Sequence, residues 1–212
     1  MGYDTSAQVT DTLAPPRPAG SYRAMTDRHP AFFGYGSLVN RATHDYAPAT
    51  PARLSGWRRV WRHTRLRDWP YLSAEPAEAE IDGLIAAVPG DDWATLDLRE
   101  AAYRRHPLSH DRLTTAPGWA QRIEIYAVDE AHGLPPNAHP ILLSYLDTVV
   151  QGFLREFGPA GVAGFFATTA GWCALLDDRA APHYPRSQPT TAAERRLVDD
   201  HAEALGLTRL PS

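Results

Sequence analysis

The segment FGYGSL, residues 33–38, places two glycines where a compact apolar run ends. Glycine at the end of a strand indicates a tight turn or the close approach of another group to the backbone. Four successive N–H groups in such a turn could hold a carboxylate or another anion, namely those of Tyr35, Gly36, Ser37 and Leu38. The Ser37 hydroxyl adds one more donor. A turn without a ligand is the alternative interpretation of this segment taken alone.

Glu100 is a second candidate for chemistry. It lies near the end of a segment with helical spacing, and the small residues Ala101 and Ala102 leave room beside it for a substrate. A carboxylate in a partly apolar pocket has a raised pKa and can serve as a general base. A surface salt bridge with Arg99 or Arg104 is the alternative interpretation.

Other catalytic arrangements have weaker support in the sequence. Val39 stands where the dinucleotide fingerprint requires glycine, and G-x-S-x-G does not occur. His106 and His110 are four residues apart, but Pro107 opposes the helix that would bring both to one metal ion. The residue types for a Ser37–His–Asp catalytic triad of a hydrolase are present. The spacing selects none of the available histidines, which are His63, His106 and His183.

The composition excludes several function classes. All 21 basic residues are arginine, which excludes a lysine Schiff base, a P-loop lysine and a Ser-Lys dyad. Cys173 is the one cysteine, so neither a disulfide framework nor a Cys-rich zinc site is expected, and we interpret it as a core thiol. The net charge is −4, and no basic block favours nucleic acid. The densest cluster of basic residues alternates with apolar residues, as in a strand with one solvent-exposed face. Its members are Arg58, Arg59, Arg62, Arg65 and Arg67.

The length and composition predict one globular domain. We expect residues 30–212 to form it and residues 1–29, rich in Pro, Thr and Ala, to be a flexible tail. The tail lacks the apolar core of a signal peptide, and no apolar run approaches the roughly 20 residues of a membrane span. We therefore expect a cytoplasmic protein without a membrane partner.

The periodicity predicts an α+β fold around a small sheet or barrel. The expected strands are 31–36, 52–63 with a bulge or a close approach at Gly56, a short strand at 70–74, 81–88 and 121–128, with an extended stretch at 103–115. The expected helices are 91–105 capped by Asp91 or Asp92, 140–157 ended by Gly158-Pro159, a second apolar helix at 160–169, and one after the capping box of Thr191 and Glu194 that ends near Gly206.

Taken together, FGYGSL and LDLRE about sixty residues later resemble the γ-glutamylcyclotransferase family, closest to its ChaC-like branch. The intervening LSGWRR, residues 54–59, and IDGL, residues 81–84, resemble two strands of that family. Tyr145 in SYLDTVVQGF resembles the tyrosine of its later helix. The resemblance covers roughly residues 31–186.

The resemblance implies a small mixed β-barrel flanked by helices, with a surface pocket. It implies that the backbone of residues 35–38 holds a γ-glutamyl group and that Glu100 is the catalytic acid/base. Tyr103 and Tyr145 are further candidates for substrate hydrogen bonds, although such tyrosines are also common as half-buried core residues. The implied reaction converts a γ-glutamyl compound to 5-oxoproline plus a free amine, without a cofactor or metal.

The leaving amine and the oligomeric state stay open at this point. The glutathione-specific branch carries an R-G-x-x-x-x-P-G-like segment, and the corresponding residues 65–72, RLRDWPYL, do not match it. A non-catalytic module that binds a small molecule in the same pocket is the alternative function, and a serine hydrolase acting through Ser37 is a third.

Overall fold

The computed structural model describes Met1 and residues 28–212. Most of the expected N-terminal tail therefore lies outside the described residues. The strands are β1 His29–Gly34, β2 Ala49–Arg62, β3 Tyr71–Ala87, β4 Tyr103–Leu108, β5 Ala120–Val128, β6 Ile141–Leu142, β7 Thr169–Ala170, β8 Leu175–Asp177 and β9 Arg209–Pro211. The helices are α1 Trp93–Arg99, α2 Leu143–Ala167 and α3 Ala192–Ala204.

The predicted α+β fold is present, but the predicted small β-barrel is not found as a closed barrel among the described residues. The described strands form a six-stranded sheet in the order β4-β5-β1-β3-β2-β7 and a three-stranded sheet in the order β6-β8-β9. Closing the larger sheet would require β4 to pair with β7. Since β7 pairs through only two residues, it offers β4 too few backbone groups for closure.

The two strands predicted at 70–74 and 81–88 are parts of one strand, β3, which pairs with β2 along a long hairpin. Pro76 and the alternating residues after it lie inside this strand, although proline is depleted inside strands. The hairpin accommodates them with a bulge at the predicted position, Gly56, whose φ is +79°. The register changes there, between the pairs Ser55–Glu80 and Trp57–Pro76.

The helix predicted over residues 91–105 ends at Arg99, because the chain turns at Glu100 and enters β4. Asp92 is the N-cap and accepts from the Thr95 N–H at 3.2 Å. Helix α2 is interrupted at Gly158, at φ 67° and ψ −170°, where the sequence predicts the boundary between two helices. Helix α3 begins with the predicted capping box of Thr191 and Glu194.

The main core lies between the larger sheet and α2, and a buried arginine crosses it. Arg59 donates from Nε to the Tyr35 carbonyl oxygen at 2.9 Å and from Nη1 to Thr168 Oγ1 at 2.9 Å. Its guanidinium lies 4.7 Å from the centre of the Phe153 ring. Burial lowers its pKa to about 9. Arg59 thereby connects the residue after β1 to the helix layer.

Gly152→Ala is expected to lower the free energy of unfolding by about 1–3 kcal/mol, the usual cost of overpacking. A Cβ at Gly152 would lie 2.7 Å from the backbone nitrogen of Asn40, so α2 and the segment after β1 would have to separate. Urea unfolding checks this, with Gly164→Ala in the same helix as the control, since its Cβ would meet only Asp82 Oδ2 at 3.8 Å. Equal stability of the two variants would contradict the close packing.

Candidate active site

A cleft opens at the carboxyl end of β1, where that strand stops and its neighbours continue. β1 pairs in parallel with β5 up to Phe33 and antiparallel with β3 up to Gly34. Beyond that end β3 and β5 meet directly, because the Val128 N–H donates to Ser73 Oγ at 2.9 Å. The chain therefore leaves the sheet at Tyr35, and its next residues form one wall of the cleft.

The structure brings all seven residues singled out in the sequence to this cleft. It is lined by Phe33, Gly34, Tyr35, Gly36, Ser37, Leu38, Leu72, Glu100, Tyr103, Tyr126 and Tyr145. Sequence reasoning missed Leu72 and Tyr126. Both fall within predicted strands, but nothing in their spacing indicates that the two strands end beside the same turn.

A short 3₁₀ turn, Ser37–Val39, forms the glycine-containing wall. Its first backbone bond runs from the Val39 N–H to the Gly36 carbonyl oxygen at 2.9 Å. The N–H groups of Ser37 and Leu38 precede that bond and so have no acceptor within the turn. This arrangement suits an anion. The Ser37 N–H also donates a hydrogen bond to the Tyr145 hydroxyl, and this bond lowers the pKa of Tyr145 against the effect of burial.

Gly36 allows a close approach between the backbone and a helix side chain. A Cβ there would lie 2.9 Å from the Tyr145 hydroxyl oxygen and 3.2 Å from Leu72 Cδ2. Gly36 does not have a positive φ; its φ is −127°. The glycine is therefore required by the contact with Tyr145, one of the two reasons that the sequence suggested.

Tyrosine hydroxyls fix the remaining walls. Tyr35 donates to the Tyr126 carbonyl oxygen, and Tyr103 donates to the Leu72 carbonyl oxygen at 3.1 Å. Burial raises the pKa of Tyr35, Tyr103 and Tyr145 above the ordinary tyrosine value. These phenols are thus neutral at physiological pH, and the backbone acceptors occupy the hydroxyl protons of Tyr35 and Tyr103.

Glu100 is positioned by the end of α1. Its N–H donates to the Leu96 carbonyl oxygen at 2.9 Å, and its carbonyl oxygen accepts from the Tyr103 N–H at 2.8 Å. Its side chain is 15% exposed and accepts from Arg99 Nε at 3.1 Å. Arg99 is held in turn by the Thr43 carbonyl oxygen, at 3.0 Å from Nη1. Arg104, the other partner considered from the sequence, pairs with Asp129 instead.

The environment makes Glu100 a stronger base than an ordinary glutamate. Burial raises its pKa above the usual value, and the nearby Arg99 guanidinium offsets part of that rise. Arg186 and Arg67 act in the same direction as Arg99 from a greater distance. A mostly buried carboxylate that faces a small cleft is the arrangement expected of a group that exchanges protons with a ligand.

Arg99→Gln is expected to raise the pKa of Glu100, because it removes the positive charge that opposes the effect of burial. Titration of the side-chain carboxyl carbon of Glu100 by ¹³C NMR measures this directly. Arg105→Gln is the control, since Arg105 pairs with Asp97 instead. An unchanged Glu100 titration in the Arg99 variant would contradict the assigned electrostatics.

The other sequence candidates lie apart from the cleft. No histidine nitrogen forms a hydrogen bond with the Ser37 hydroxyl in the part of the chain that the structure describes. His63 is buried between the N–H groups of Asn137 and His139. His106 lies beside Trp57 and His183 beside Trp69.

The residues considered for a metal site, a thiol role and a basic patch take part in packing or in ion pairs. Among the side chains that the structure describes, no group of three from His, Cys, Asp or Glu could hold a metal ion. Cys173 is buried, and burial raises its pKa. Within the basic cluster Arg58 and Arg62 both pair with Glu75, while Arg59 is fully buried. None of the described helices has the length and apolar character of a membrane span.

The comparisons with known proteins identify the fold. No protein-family model and no curated protein sequence matches the chain. A solved structure described as a γ-glutamyl cyclotransferase is similar over 82% of this chain and 99% of its own, with 13% identity and a TM-score of 0.51. YkqA from Bacillus subtilis is similar over 66% of this chain, with 16% identity and a TM-score of 0.51. The chain matches only 54% of the length of YkqA. The chain therefore has the fold of a γ-glutamyl cyclotransferase, as the sequence resemblance predicts.

Proposed function

We propose that this chain is a γ-glutamylcyclotransferase, which converts a γ-glutamyl compound to 5-oxoproline and a free amine with Glu100 as the general acid/base. The observation that carries the proposal is the position of Glu100. Its carboxylate, with a raised pKa, lines the same cleft as the backbone of residues 36–38. The shared fold makes the reaction class plausible, but the cleft is the argument for it.

The reaction requires no nucleophile from the protein. The α-amine of the γ-glutamyl group attacks its own γ-carbonyl carbon, a five-membered lactam closes, and the bond from that carbon to the leaving nitrogen breaks. No water is consumed; the α-ammonium loses two protons as it becomes the lactam N–H, and both pass to the leaving nitrogen, which departs as an ammonium ion. A chain without lysine, whose cysteine is buried away from the cleft, suits this chemistry.

The cleft supplies what the substrate needs. The N–H groups of Ser37 and Leu38 would hold the α-carboxylate, and Glu100 would pair with the α-ammonium. Tyr103 and Tyr145 would close the walls around a curled chain. Holding the reacting atoms in this geometry can supply up to about 7–11 kcal/mol of barrier reduction.

Glu100 would accept one proton of the α-ammonium as the amine attacks and donate it to the leaving nitrogen, and it would relay the second proton in the same way as the lactam N–H forms. Only the ionised carboxylate can begin this cycle. Activity is therefore lost as the pH falls through the pKa of Glu100, and the raised pKa places this loss at a higher pH than for an ordinary glutamate.

A module that binds a γ-glutamyl-like ligand without turnover is the second candidate function. The hydrogen bonds from two cleft tyrosines to backbone acceptors fix the walls of the cleft, and fixed walls suit the binding of a small molecule. A binding module has no requirement for a carboxylate with a raised pKa, and this feature favours the enzyme.

Mass spectrometry of 5-oxoproline tests the proposal on a panel of γ-glutamyl amino acids, γ-glutamyl amines and glutathione. The enzyme is expected to release 5-oxoproline and the matching amine in equal amounts from at least one compound. Binding of a panel compound by calorimetry without its consumption would support the binding module instead.

A further inference from the structure

Arg59 is a fully buried cation whose guanidinium forms no salt bridge among the described residues. Its three hydrogen bonds go to uncharged acceptors. They are the Tyr35 carbonyl oxygen at 2.9 Å, Thr168 Oγ1 at 2.9 Å and the Asp82 carbonyl oxygen. The Asp82 carboxylate pairs with Arg53 instead, at 2.8 Å. A positive charge therefore lies in the core without a carboxylate of its own.

Packing alone does not require a charge at this position. The guanidinium of Arg59 lies 4.7 Å from the centre of the Phe153 ring and 5.3 Å from that of the Phe165 ring. An apolar side chain of similar length would pack against these rings without the free-energy cost of burying a charge. Cation–π contacts offset only part of that cost. The charge of Arg59 therefore has a role beyond joining the sheet to α2.

Arg59 lies behind the peptide group that leads into the glycine-containing turn. The Tyr35 carbonyl that accepts from Arg59 Nε belongs to the same peptide group as the Gly36 N–H. This peptide is trans, so its N–H points in the direction opposite to its C=O and thus away from Arg59. A charge-assisted hydrogen bond to the carbonyl polarises the peptide and makes its N–H a stronger donor.

The Gly36 N–H is available to a ligand. Gly36 is buried and lines the cleft, and its N–H has no acceptor in the part of the chain that the structure describes. Buried backbone donors without a partner are rare. The charge of Arg59 is also felt at this wall, since burial raises the pKa of Tyr35 and Arg59 offsets part of the rise. This wall of the cleft therefore attracts a negative group.

We propose that Arg59 is a positioning residue whose buried charge, acting through the Tyr35–Gly36 peptide, makes the turn of residues 36–38 selective for a carboxylate. This inference rests on the proposed function, in which the carboxylate is that of the γ-glutamyl group. Arg59 itself does not touch the ligand. With Glu100 beside the α-ammonium, the cleft then matches both charges of an α-amino acid head group, and analogues with a neutral amide in place of the α-carboxylate bind weakly.

The test compares the binding of 5-oxoproline and 5-oxoprolinamide, in which a neutral carboxamide replaces the carboxylate. The quantity measured is the ratio of their Kd values, amide over acid, by calorimetry at neutral pH. The proteins are wild type, Arg59→Met and Thr168→Val. The valine variant removes one acceptor of Arg59 but keeps the charge, so it reports the effect of looser packing alone. Because a purely structural loss weakens both ligands alike, the ratio isolates the charge.

Wild type is expected to prefer the acid. Arg59→Met is expected to lower the ratio roughly ten- to thirty-fold, the Coulomb effect of one charge about 8–12 Å from a carboxylate at an effective dielectric constant of about 20. Thr168→Val is expected to keep the wild-type ratio. Arg59→Gln, which can still donate to the Tyr35 carbonyl oxygen but carries no charge, should give the same result as Arg59→Met if the methionine variant is unstable.

A wild-type ratio in a folded neutral variant of Arg59 would overturn this inference, and so would an equal fall in Thr168→Val. Release of 5-oxoproline from the γ-glutamyl panel is measured on the same proteins, which separates this inference from the proposed function. Turnover by a wild type that does not prefer the acid would overturn the inference alone. A wild type that binds neither ligand and releases no 5-oxoproline would overturn both.

Discussion

Glu100→Gln is expected to lower kcat by roughly 10²- to 10⁴-fold, the usual contribution of a general acid/base, while the protein stays folded. Glutamine keeps the shape of the side chain but can neither take the ammonium proton nor return it to the leaving amine. Steady-state 5-oxoproline release measures the loss. Exposed Glu203 on α3, changed to glutamine, is the matched control and is expected to retain wild-type turnover.

The same substitution also tests how the raised pKa of Glu100 affects the stability of the folded protein. The pKa of Glu100 is raised in the folded protein, so its ionised form is disfavoured there and costs stability at a pH above that pKa. The cost disappears as the pH falls, and also when the charge is removed by substitution. Glu100→Gln should therefore unfold at the same temperature as wild type or a higher one near pH 7. A folded variant with wild-type kcat would remove Glu100 from the mechanism.

Gly36→Ala is expected to lower kcat/KM by about 10²-fold, the cost of displacing a reacting group by roughly 1 Å. The new Cβ would lie 2.9 Å from the Tyr145 hydroxyl oxygen and 3.2 Å from Leu72 Cδ2, both on the cleft wall. The turn that contains Gly36 must therefore move away from these two side chains, and the N–H groups of Ser37 and Leu38 move with it. Gly118→Ala is the control, since a Cβ there meets no atom within 4 Å.

A double variant shows whether the proposed contact is the cause. In Gly36→Ala/Tyr145→Phe the hydroxyl that the new methyl group meets is absent. Its kcat/KM should exceed that of Gly36→Ala alone, even though Tyr145→Phe lowers activity by itself. A double variant below both single variants would show that Gly36 acts through something other than the approach of Tyr145.

The sequence predicts the local elements of this fold better than their assembly. The bulge at Gly56, the interruption at Gly158 and the capping box at Thr191 depend on residues close in the chain, and the structure has all three. No closed barrel is found among the described residues, and the separate strand at 70–74 is wrong. Both features depend on pairing between distant segments, and pairing with β2 joins residues 71–87 into one strand.

In the candidate site, too, local features are predictable from the sequence and features that depend on assembly are not. The residue types in FGYGSL and LDLRE indicate their chemistry without any knowledge of the fold. Glu100 and the glycine-containing turn could therefore be selected from the sequence. Arg59 and Arg67 could not be distinguished from the other arginines of their cluster. Only the packing of α2 makes Arg59 a buried hydrogen-bond donor to the Tyr35 carbonyl oxygen, and only the fold places the guanidinium of Arg67 over the Tyr71 ring.

The central claim is that the substrate cyclises on itself in this cleft, and one measurement tests it most directly. Wild-type protein is incubated with γ-glutamylalanine in ¹⁸O-enriched water, and the products are analysed by mass spectrometry. The account predicts 5-oxoproline without solvent oxygen and an equal amount of alanine. Glutamate carrying one ¹⁸O atom would mean hydrolysis, and γ-glutamylalanine that is bound but unchanged would mean a binding module; either result would contradict the account.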